Sequence, residues 1–201
     1  MPRGVYIAVE GVDGAGKTTQ ARRLVRHLRK NGYRAVYTYE PSKNPVGRII
    51  RKMLENTLHS SEEVMTLLFA ADRLHHHQQF VAEALKNGFV VVSDRSVVSS
   101  LAYQTAATGR RRWVREVNRY ALKPDIVVYI DLRPEAALER LVGKRYRYER
   151  VSFLQKVSEE YGRILRTGWR VVWVDGEQPV EDVFKSIVAG VEKYLKRLLM
   201  K

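Results

Sequence analysis

The chain has 201 residues, of which 45% are hydrophobic and 29% are charged, a balance typical of one compact domain. It contains no Cys, which excludes disulfides, thiolate metal sites and Cys nucleophiles. The formal net charge of +14 favours phosphorylated ligands, and nucleic acid is the less favoured partner because the Lys and Arg residues follow no nucleic-acid-binding module pattern. No apolar run reaches membrane-spanning length and no targeting segment is recognised, so we expect a cytoplasmic protein without a membrane partner.

An apolar strand pattern over Val5–Glu10 runs into a glycine-rich turn that reads G-x-x-x-x-G-K-[ST]. Between a strand and a helix, this spacing is typical of a phosphate-binding loop, whose curled backbone directs N–H groups at phosphate oxygens. We predict that Lys17 contacts the outer phosphates and that the hydroxyl of Thr18 coordinates Mg²⁺. The predicted loop consists of Gly11, Val12, Asp13, Gly14, Ala15, Gly16, Lys17, Thr18 and Thr19.

Helical and strand patterns alternate along the chain. Apolar residues at helical spacing predict helices at residues 20–30, 46–54, 62–86, 96–107, 113–121, 135–142, 153–165 and 180–199. Apolar runs predict further strands at residues 35–39, 89–93, 126–131 and 170–175. No linker or internal repeat interrupts this alternation. We therefore expect a single α/β domain over residues 1–201, with a doubly wound five-stranded parallel sheet flanked by helices, the P-loop NTPase fold.

Polar residues follow the second and third predicted strands, at Glu40-Pro41 and at Asp94-Arg95. The carboxyl ends of parallel strands share one edge of the sheet, so these residues are expected to face the phosphate loop. A second set of anion-binding and aromatic residues there predicts a second phosphorylated substrate, and phosphoryl transfer between nucleotides is the simplest interpretation. A switch GTPase is disfavoured because no N-K-x-D motif occurs, and helicase or transporter ATPases usually need a longer chain.

Three adjacent histidines, residues 75–77, lie in the third predicted helix. Neighbouring positions on a helix point in different directions, whereas helical metal sites space their histidines at i and i+4. We therefore predict packing and solvent roles for these side chains.

Several blocks of the sequence resemble, in order, those of the thymidylate kinases, a family of P-loop nucleoside monophosphate kinases. Besides the phosphate loop and Glu40-Pro41, the blocks are F-A-A-D-R at 69–73, D-R-S-x-x-S-S-x-A-Y-Q at 94–104, D-L-x-P-E at 131–135 and Q-P at 178–179. The block at 94–104 is particularly specific. The resemblance implies phosphorylation of dTMP to dTDP by ATP with Mg²⁺.

The resemblance also implies an acceptor site. Phe69 would stack on the thymine ring, and Tyr103 would pack against the deoxyribose. Arg73 would form a hydrogen bond with O4 of the base, and Gln104 would form one with N3. Asp13 and Arg95 would hold the sugar and the phosphate. Tyr39 stands where the family often has Arg, which leaves Lys43 or Arg48 as the nearest cation. The implied dTMP-binding residues are Asp13, Tyr39, Phe69, Arg73, Arg95, Ser99, Tyr103 and Gln104.

Catalysis would rest on alignment and charge neutralisation, because phosphate oxygens are already ionised at neutral pH and need no general base. The implied catalytic residues are Lys17, Arg95, Asp13, Arg147 and Arg145. The last two, with Arg150, belong to a basic segment at about 143–150 that we expect to act as a lid.

Thr18 and Asp94 are the candidate Mg²⁺ residues, and Asp94 would orient Arg95 or a Mg²⁺-bound water. A homodimer through the helices that carry Leu67 and Ser100 is expected from the family. Two alternatives stay open at this point. They are a pyrimidine nucleotide or nucleoside kinase with a broader acceptor range, and a non-catalytic protein that binds nucleotides or nucleic acid.

Overall fold

The computed structural model describes residues 4–141, 148 and 150–199. Its strands form one parallel sheet and agree with the predicted strands to within one residue at each end. They are β1 (Val5–Glu10), β2 (Ala35–Tyr39), β3 (Val90–Asp94), β4 (Ile126–Asp131) and β5 (Val171–Asp175). The spatial order is β2-β3-β1-β4-β5, with every neighbouring pair parallel.

The helices fill the intervals between these strands. They are α1 (Lys17–Lys30), α2 (Pro45–Leu54), α3 (Glu62–His76), α4 (Ala82–Lys86), α5 (Val97–Thr108), α6 (Arg111–Val117), α7 (Pro134–Glu139), α8 (Val151–Leu165) and α9 (Val180–Leu199). The predicted helix over 62–86 is divided by a π-helical turn at His77–Val81. In a π-helical turn each backbone hydrogen bond spans five residues instead of four, and the spacing of apolar residues does not reveal this change.

Local signals explain where two of these helices begin. Ser61 accepts a hydrogen bond from the Val64 amide at the start of α3, and Ser96 accepts one from the Val98 amide at the start of α5. Both are N-cap residues that satisfy an amide which would otherwise lack a partner. The cap at Ser96 places the first turn of α5 directly after the end of β3.

Helices cover both faces of the sheet, which confirms the doubly wound architecture. Tyr6 packs edge-on against His77 at 5.9 Å, and Tyr129 packs against Tyr161 of α8 at 5.1 Å, on one face. Because strand side chains alternate, Ile7 lies on the opposite face, where α1 and α9 contact the sheet and one another. Within the described part of the chain, none of the helices combines the length and apolar character that crossing a membrane requires.

The strand order reverses around β1, which lies between β3 and β4. At such a reversal the loops that leave adjacent strands diverge to opposite faces and open a crevice at the carboxyl edge. The loop after β1 and the residues after β3 meet at this crevice.

Candidate active site

The loop between β1 and α1 holds a curled backbone that depends on glycine. Gly11 and Gly14 have φ angles of 146° and 86°, in the region that side chains disfavour. A Cβ atom at Gly11 would also lie 2.6 Å from the carbonyl oxygen of Ile130. The loop leads into the amino terminus of α1, so its N–H groups and the helix dipole favour an anion at the same place.

Lys17 is buried and turns back over this loop. Its Nζ donates to the Val12 carbonyl at 2.7 Å and lies 3.9 Å from the Asp13 carboxylate. Burial, together with the nearby charge of Arg95, lowers the pKa of Lys17 to about 8. The buried ammonium is therefore held over the predicted phosphate-binding loop, with the Val12 carbonyl and the Asp13 carboxylate nearby.

Thr18 and Asp94 meet across the crevice. The Thr18 hydroxyl, in the first turn of α1, donates to the carboxylate of Asp94 at the end of β3. One hydroxyl and one carboxylate oxygen form the kind of partial oxygen shell that Mg²⁺ takes from a protein when phosphates and water supply the rest. The two predicted metal residues therefore lie together and fit the ion chemically.

Asp13 and Arg95 form an ion pair that joins the phosphate loop to the end of β3. Arg95 Nη2 donates to Asp13, and Nη1 donates to the Ser99 hydroxyl at 3.1 Å. The guanidinium lies 5.0 Å from the ring centre of Tyr103. The Tyr103 hydroxyl in turn accepts from the Asp13 amide at 3.0 Å and donates to its carboxylate at 3.1 Å.

Electrostatics keep this pair charged. Desolvation would raise the pKa of Asp13, but Arg95 and then Lys17 outweigh it and lower that pKa below its ordinary value. Arg95 also has a φ of 75°, which is costly for a residue with a side chain and recurs at functional sites. The structure thus places Asp13 of the phosphate loop beside Arg95, as expected for two residues predicted to hold the sugar and the phosphate of one acceptor.

A cavity of about 390 Å³ opens beside Arg95. It is lined by every predicted acceptor residue except Tyr39, which lines an adjoining cavity of about 1170 Å³ with the phosphate loop. The lining of the smaller cavity is Asp13, Thr18, Glu40, Pro41, Leu54, Phe69, Arg73, Arg95, Ser99, Ser100, Tyr103, Gln104 and Tyr148.

Arg73 is buried beneath this cavity and is held on several sides. Its Nε donates to Glu40 at 2.9 Å, Nη1 to the amide oxygen of Asn118 at 2.5 Å, and Nη2 to the Ser100 hydroxyl at 2.9 Å. Burial would raise the pKa of Glu40, but Arg73 and then His77 outweigh it and lower the pKa to about 2. The pair is therefore ionised, and it fixes the guanidinium at the cavity wall.

The loop between β2 and α2 is fixed by residues that the sequence analysis did not assign. The carboxylate of Asp72 accepts from both the amide and the hydroxyl of Ser42 at 2.7 Å. Arg51 donates to the carbonyls of Pro41 and Ser42, each at 2.8 Å. Asp72 could have been identified as a site residue from the sequence, because it lies next to Arg73 in the block at 69–73. Asn118 could not be identified from the sequence, because it lies 45 residues from Arg73, in the turn that follows α6.

The three adjacent histidines have separate surroundings, in line with their predicted packing and solvent roles. His75 is exposed, and His76 Nε2 lies 2.6 Å from the Thr38 hydroxyl. His77 is buried, where its Nδ1 accepts from the Leu122 amide at 3.1 Å and its Nε2 lies 3.4 Å from Glu40. His77 thus belongs to the buried surroundings of Arg73.

Most of the predicted lid, including Arg145 and Arg147, lies outside the described residues. Tyr148 and Arg150 are described. Tyr148 lines the smaller cavity and stacks on Phe153 with ring centres 4.8 Å apart. Arg150 is exposed at the start of α8.

Replacing Glu40 by Gln is expected to lower the free energy of unfolding by about 3 kcal/mol, because it leaves the buried charge of Arg73 without its counterion. Denaturation by guanidinium chloride, followed by circular dichroism, measures this loss. The matched control is Glu181→Gln, which breaks an ion pair with Arg23 in which the Glu side chain is 69% exposed, and it should change stability by less than about 0.5 kcal/mol.

The loss caused by Glu40→Gln should also depend on pH. The pKa of Glu40 is lower in the folded protein than its ordinary value of 4.5, so its stabilisation is complete above pH 4.5 and disappears as pH falls toward about 2. The difference in stability between wild type and variant should narrow over that interval. A difference that stays constant between pH 5 and pH 2.5 would contradict the assigned ion pair.

Comparisons with known proteins agree with this geometry. The family model for thymidylate kinase matches residues 9–187. The probable thymidylate kinase of Thermococcus gammatolerans is 36% identical over 201 residues, covering 94% of this chain and 97% of the relative. The thymidylate kinase of Caldanaerobacter subterraneus is 39% identical, covering 96% and 98%. The probable thymidylate kinase of Methanocaldococcus jannaschii is 37% identical, covering 98% and 99%. By sequence over nearly its full length, the chain belongs to the thymidylate kinase family.

Proposed function

We propose that the protein transfers the γ-phosphoryl group of ATP to dTMP, producing ADP and dTDP. One observation carries the proposal. The smaller cavity is lined by the predicted base contacts Phe69 and Gln104, and it shares Asp13, Thr18 and Arg95 with the larger cavity of the phosphate loop. A nucleoside monophosphate in that cavity would place its phosphate beside the donor phosphates.

The donor half is the phosphate loop with Lys17. The loop backbone and the start of α1 bind the phosphate chain of ATP, and the buried ammonium of Lys17 neutralises charge that moves onto the β- and γ-oxygens during transfer. Because Lys17 is already positioned by the Val12 carbonyl, little reorganisation is needed when the charge develops.

Mg²⁺ belongs to this half in our proposal. Thr18 and Asp94 are the residues that would hold it, directly or through water, and the hydrogen bond between them supports this assignment because it brings the two oxygens together. When bound, the ion neutralises phosphate charge and favours the in-line geometry of the transfer.

The acceptor half is the smaller cavity, whose volume of about 390 Å³ suits a small ligand. Phe69 offers a flat apolar surface for the pyrimidine, and Gln104 and Arg73 offer polar groups at the edge of its ring. Tyr103 lines the same cavity and is fixed through its hydroxyl to Asp13, and we propose that it packs against the deoxyribose and disfavours a 2′-hydroxyl.

Arg95 and Asp13 align the reacting groups. A planar guanidinium binds two phosphate oxygens at once, so Arg95 would hold the acceptor phosphate and the transferred group. The acceptor oxygen is an ionised nucleophile, and no proton needs to be removed before transfer. Arg145 and Arg147 would close over the site and exclude water, which otherwise competes as acceptor.

A coupled assay of ADP release with dTMP, dUMP, CMP and thymidine tests this function. We expect dTMP to give the highest kcat/KM, since only dTMP offers both the thymine ring and the phosphate for which the cavity has contacts. Comparable kcat/KM with dUMP would support the broader pyrimidine kinase instead. Absence of turnover with all four acceptors, together with salt-dependent DNA binding unaffected by Lys17→Ala, would favour the non-catalytic alternative.

The homodimer and the cytoplasmic location are also proposals. In α3, the side chains of Val64 and Leu67 are 43% and 50% exposed, which supports an interface along that helix. Ser100 is buried, and α5 is buried along most of its length, so we propose α3 as the main dimer helix.

A further inference from the structure

A carboxylate that the proposed mechanism does not use lies beneath Arg95. Glu10, the last residue of β1, is fully buried and points toward α5 and α8. Its oxygens accept from the hydroxyls of Ser96 at 2.7 Å, Ser99 at 2.5 Å and Tyr161 at 2.9 Å. A buried carboxylate is costly, so a site that satisfies it with three donors is built for its charge.

The direction of these hydrogen bonds matters for Arg95. A guanidinium can only donate, so the Ser99 oxygen must accept from Arg95 Nη1, 3.1 Å away. An ionised carboxylate can only accept, so the Ser99 proton is directed toward Glu10. The Ser99 oxygen is thereby left facing Arg95.

Arg95 needs such support because its backbone lies in the left-handed region and its guanidinium is held by few protein groups. Among the described residues, Asp13 and Ser99 accept from it, which leaves other N–H groups for phosphate oxygens. Burial raises the pKa of Glu10, while hydrogen bonds from Ser99 and Ser96 and the charge of Arg95 oppose that change. The charge of Glu10 is thus coupled to Arg95, both directly and through the Ser99 hydroxyl.

We propose that Glu10 is a positioning residue for Arg95, acting through the Ser99 hydroxyl and itself held by Tyr161 of α8. This inference rests on the proposed function, since it assumes that Arg95 holds the acceptor phosphate. Because Tyr161 donates to Glu10 and Ser99 accepts from Arg95, α8 is connected to Arg95 through Glu10 and the Ser99 hydroxyl. Loss of the Glu10 charge should therefore weaken the hold on the phosphate and leave the hold on the nucleoside unchanged.

Isothermal titration with dTMP and with thymidine separates these two effects, because thymidine has the base and sugar without the phosphate. Glu10→Gln preserves the side-chain volume and removes the charge. It should weaken dTMP binding by about ten-fold and leave thymidine binding within about two-fold. The matched control is Glu160→Gln on α8, whose carboxylate pairs with Arg111 and Arg163 at 2.7 and 2.8 Å, and it should leave the ratio of the two affinities unchanged.

A double-mutant cycle tests the path through Ser99. Combined with Ser99→Ala, Glu10→Gln should cost less than the sum of the two single effects on dTMP binding. If circular dichroism shows that Glu10→Gln does not fold, Tyr161→Phe is the substitute variant, because it removes one hydrogen bond to Glu10. It should also lower the ratio of dTMP affinity to thymidine affinity.

A folded Glu10→Gln variant with the wild-type ratio of dTMP to thymidine affinity would overturn the inference, as would an equal loss for both ligands, which indicates general disruption. Wild-type protein that binds dTMP no more tightly than thymidine would instead refute the proposed phosphate role of Arg95. The two failures are therefore distinguishable.

Discussion

Arg95→Ala is expected to lower kcat with dTMP by about 10³-fold, the scale of an arginine that stabilises charge in phosphoryl transfer. Arg95 occupies the boundary between the phosphate loop and the smaller cavity, and it pairs with Asp13 from the loop. Its removal takes away the group that would hold both phosphates, and it leaves Asp13 to repel the incoming acceptor. Steady-state kinetics with both substrates varied measures the effect.

Arg95→Lys provides the control for charge. Lysine keeps the positive charge but lacks the planar pair of donors, so it should recover only part of the lost activity. Full recovery would show that charge alone suffices, and turnover near wild type in Arg95→Ala would contradict the assigned role. A dTMP affinity that falls while thymidine affinity is retained would locate the defect at the phosphate.

Lys17→Ala should reduce kcat by a similar factor, about 10³-fold, since it removes the one ammonium group of loop residues 11–19, which we propose neutralises the donor phosphates. The Val12 carbonyl would lose its donor, but the loop glycines and their φ angles would not change. We therefore expect the variant to fold and to bind nucleotide weakly. Circular dichroism and ADP release together separate loss of activity from loss of structure.

The pH dependence of the wild-type enzyme gives a second test of Lys17. Its pKa of about 8 in the unliganded protein means that the ammonium loses its proton as pH rises through that value. Because kcat/KM for ATP reports the free enzyme, it should fall above about pH 8. Lys17→Arg keeps its charge at every accessible pH and should lack this decrease. A wild-type profile that stays level to pH 10 would contradict the assignment.

Much of the fold could be predicted from the sequence, because the three central strands, β1, β3 and β4, are buried on both faces and consist mainly of apolar residues. Val90–Asp94 is an example, and its observed bounds differ from the predicted 89–93 by one residue. The π-helical turn at His77–Val81 could not be predicted, since it changes the helical register without a change in composition.

The site was predictable to the extent that its residues follow strand ends or share a helix face. Asp13 and Arg95 were expected to be near one another, and they form an ion pair. The supporting residues were not predicted, because buried hydrogen-bond partners come from distant segments, as Asn118 does for Arg73. The sequence gives only a weak indication that Glu10 has a role. A carboxylate in a strand expected to be buried must have hydrogen-bond partners, but the sequence does not identify them.

The ion pair between Asp13 and Arg95 has a consequence for which anions the enzyme can accept. Without an acceptor, the aspartate already neutralises the arginine, so an entering anion gains only the difference between its own attraction and that of the carboxylate. A singly charged anion therefore gains little, whereas a dianionic phosphate anchored by its nucleoside gains enough to share the guanidinium. If Arg95 binds the acceptor phosphate as we propose, Asp13 competes with small free anions for the guanidinium and so favours the nucleotide.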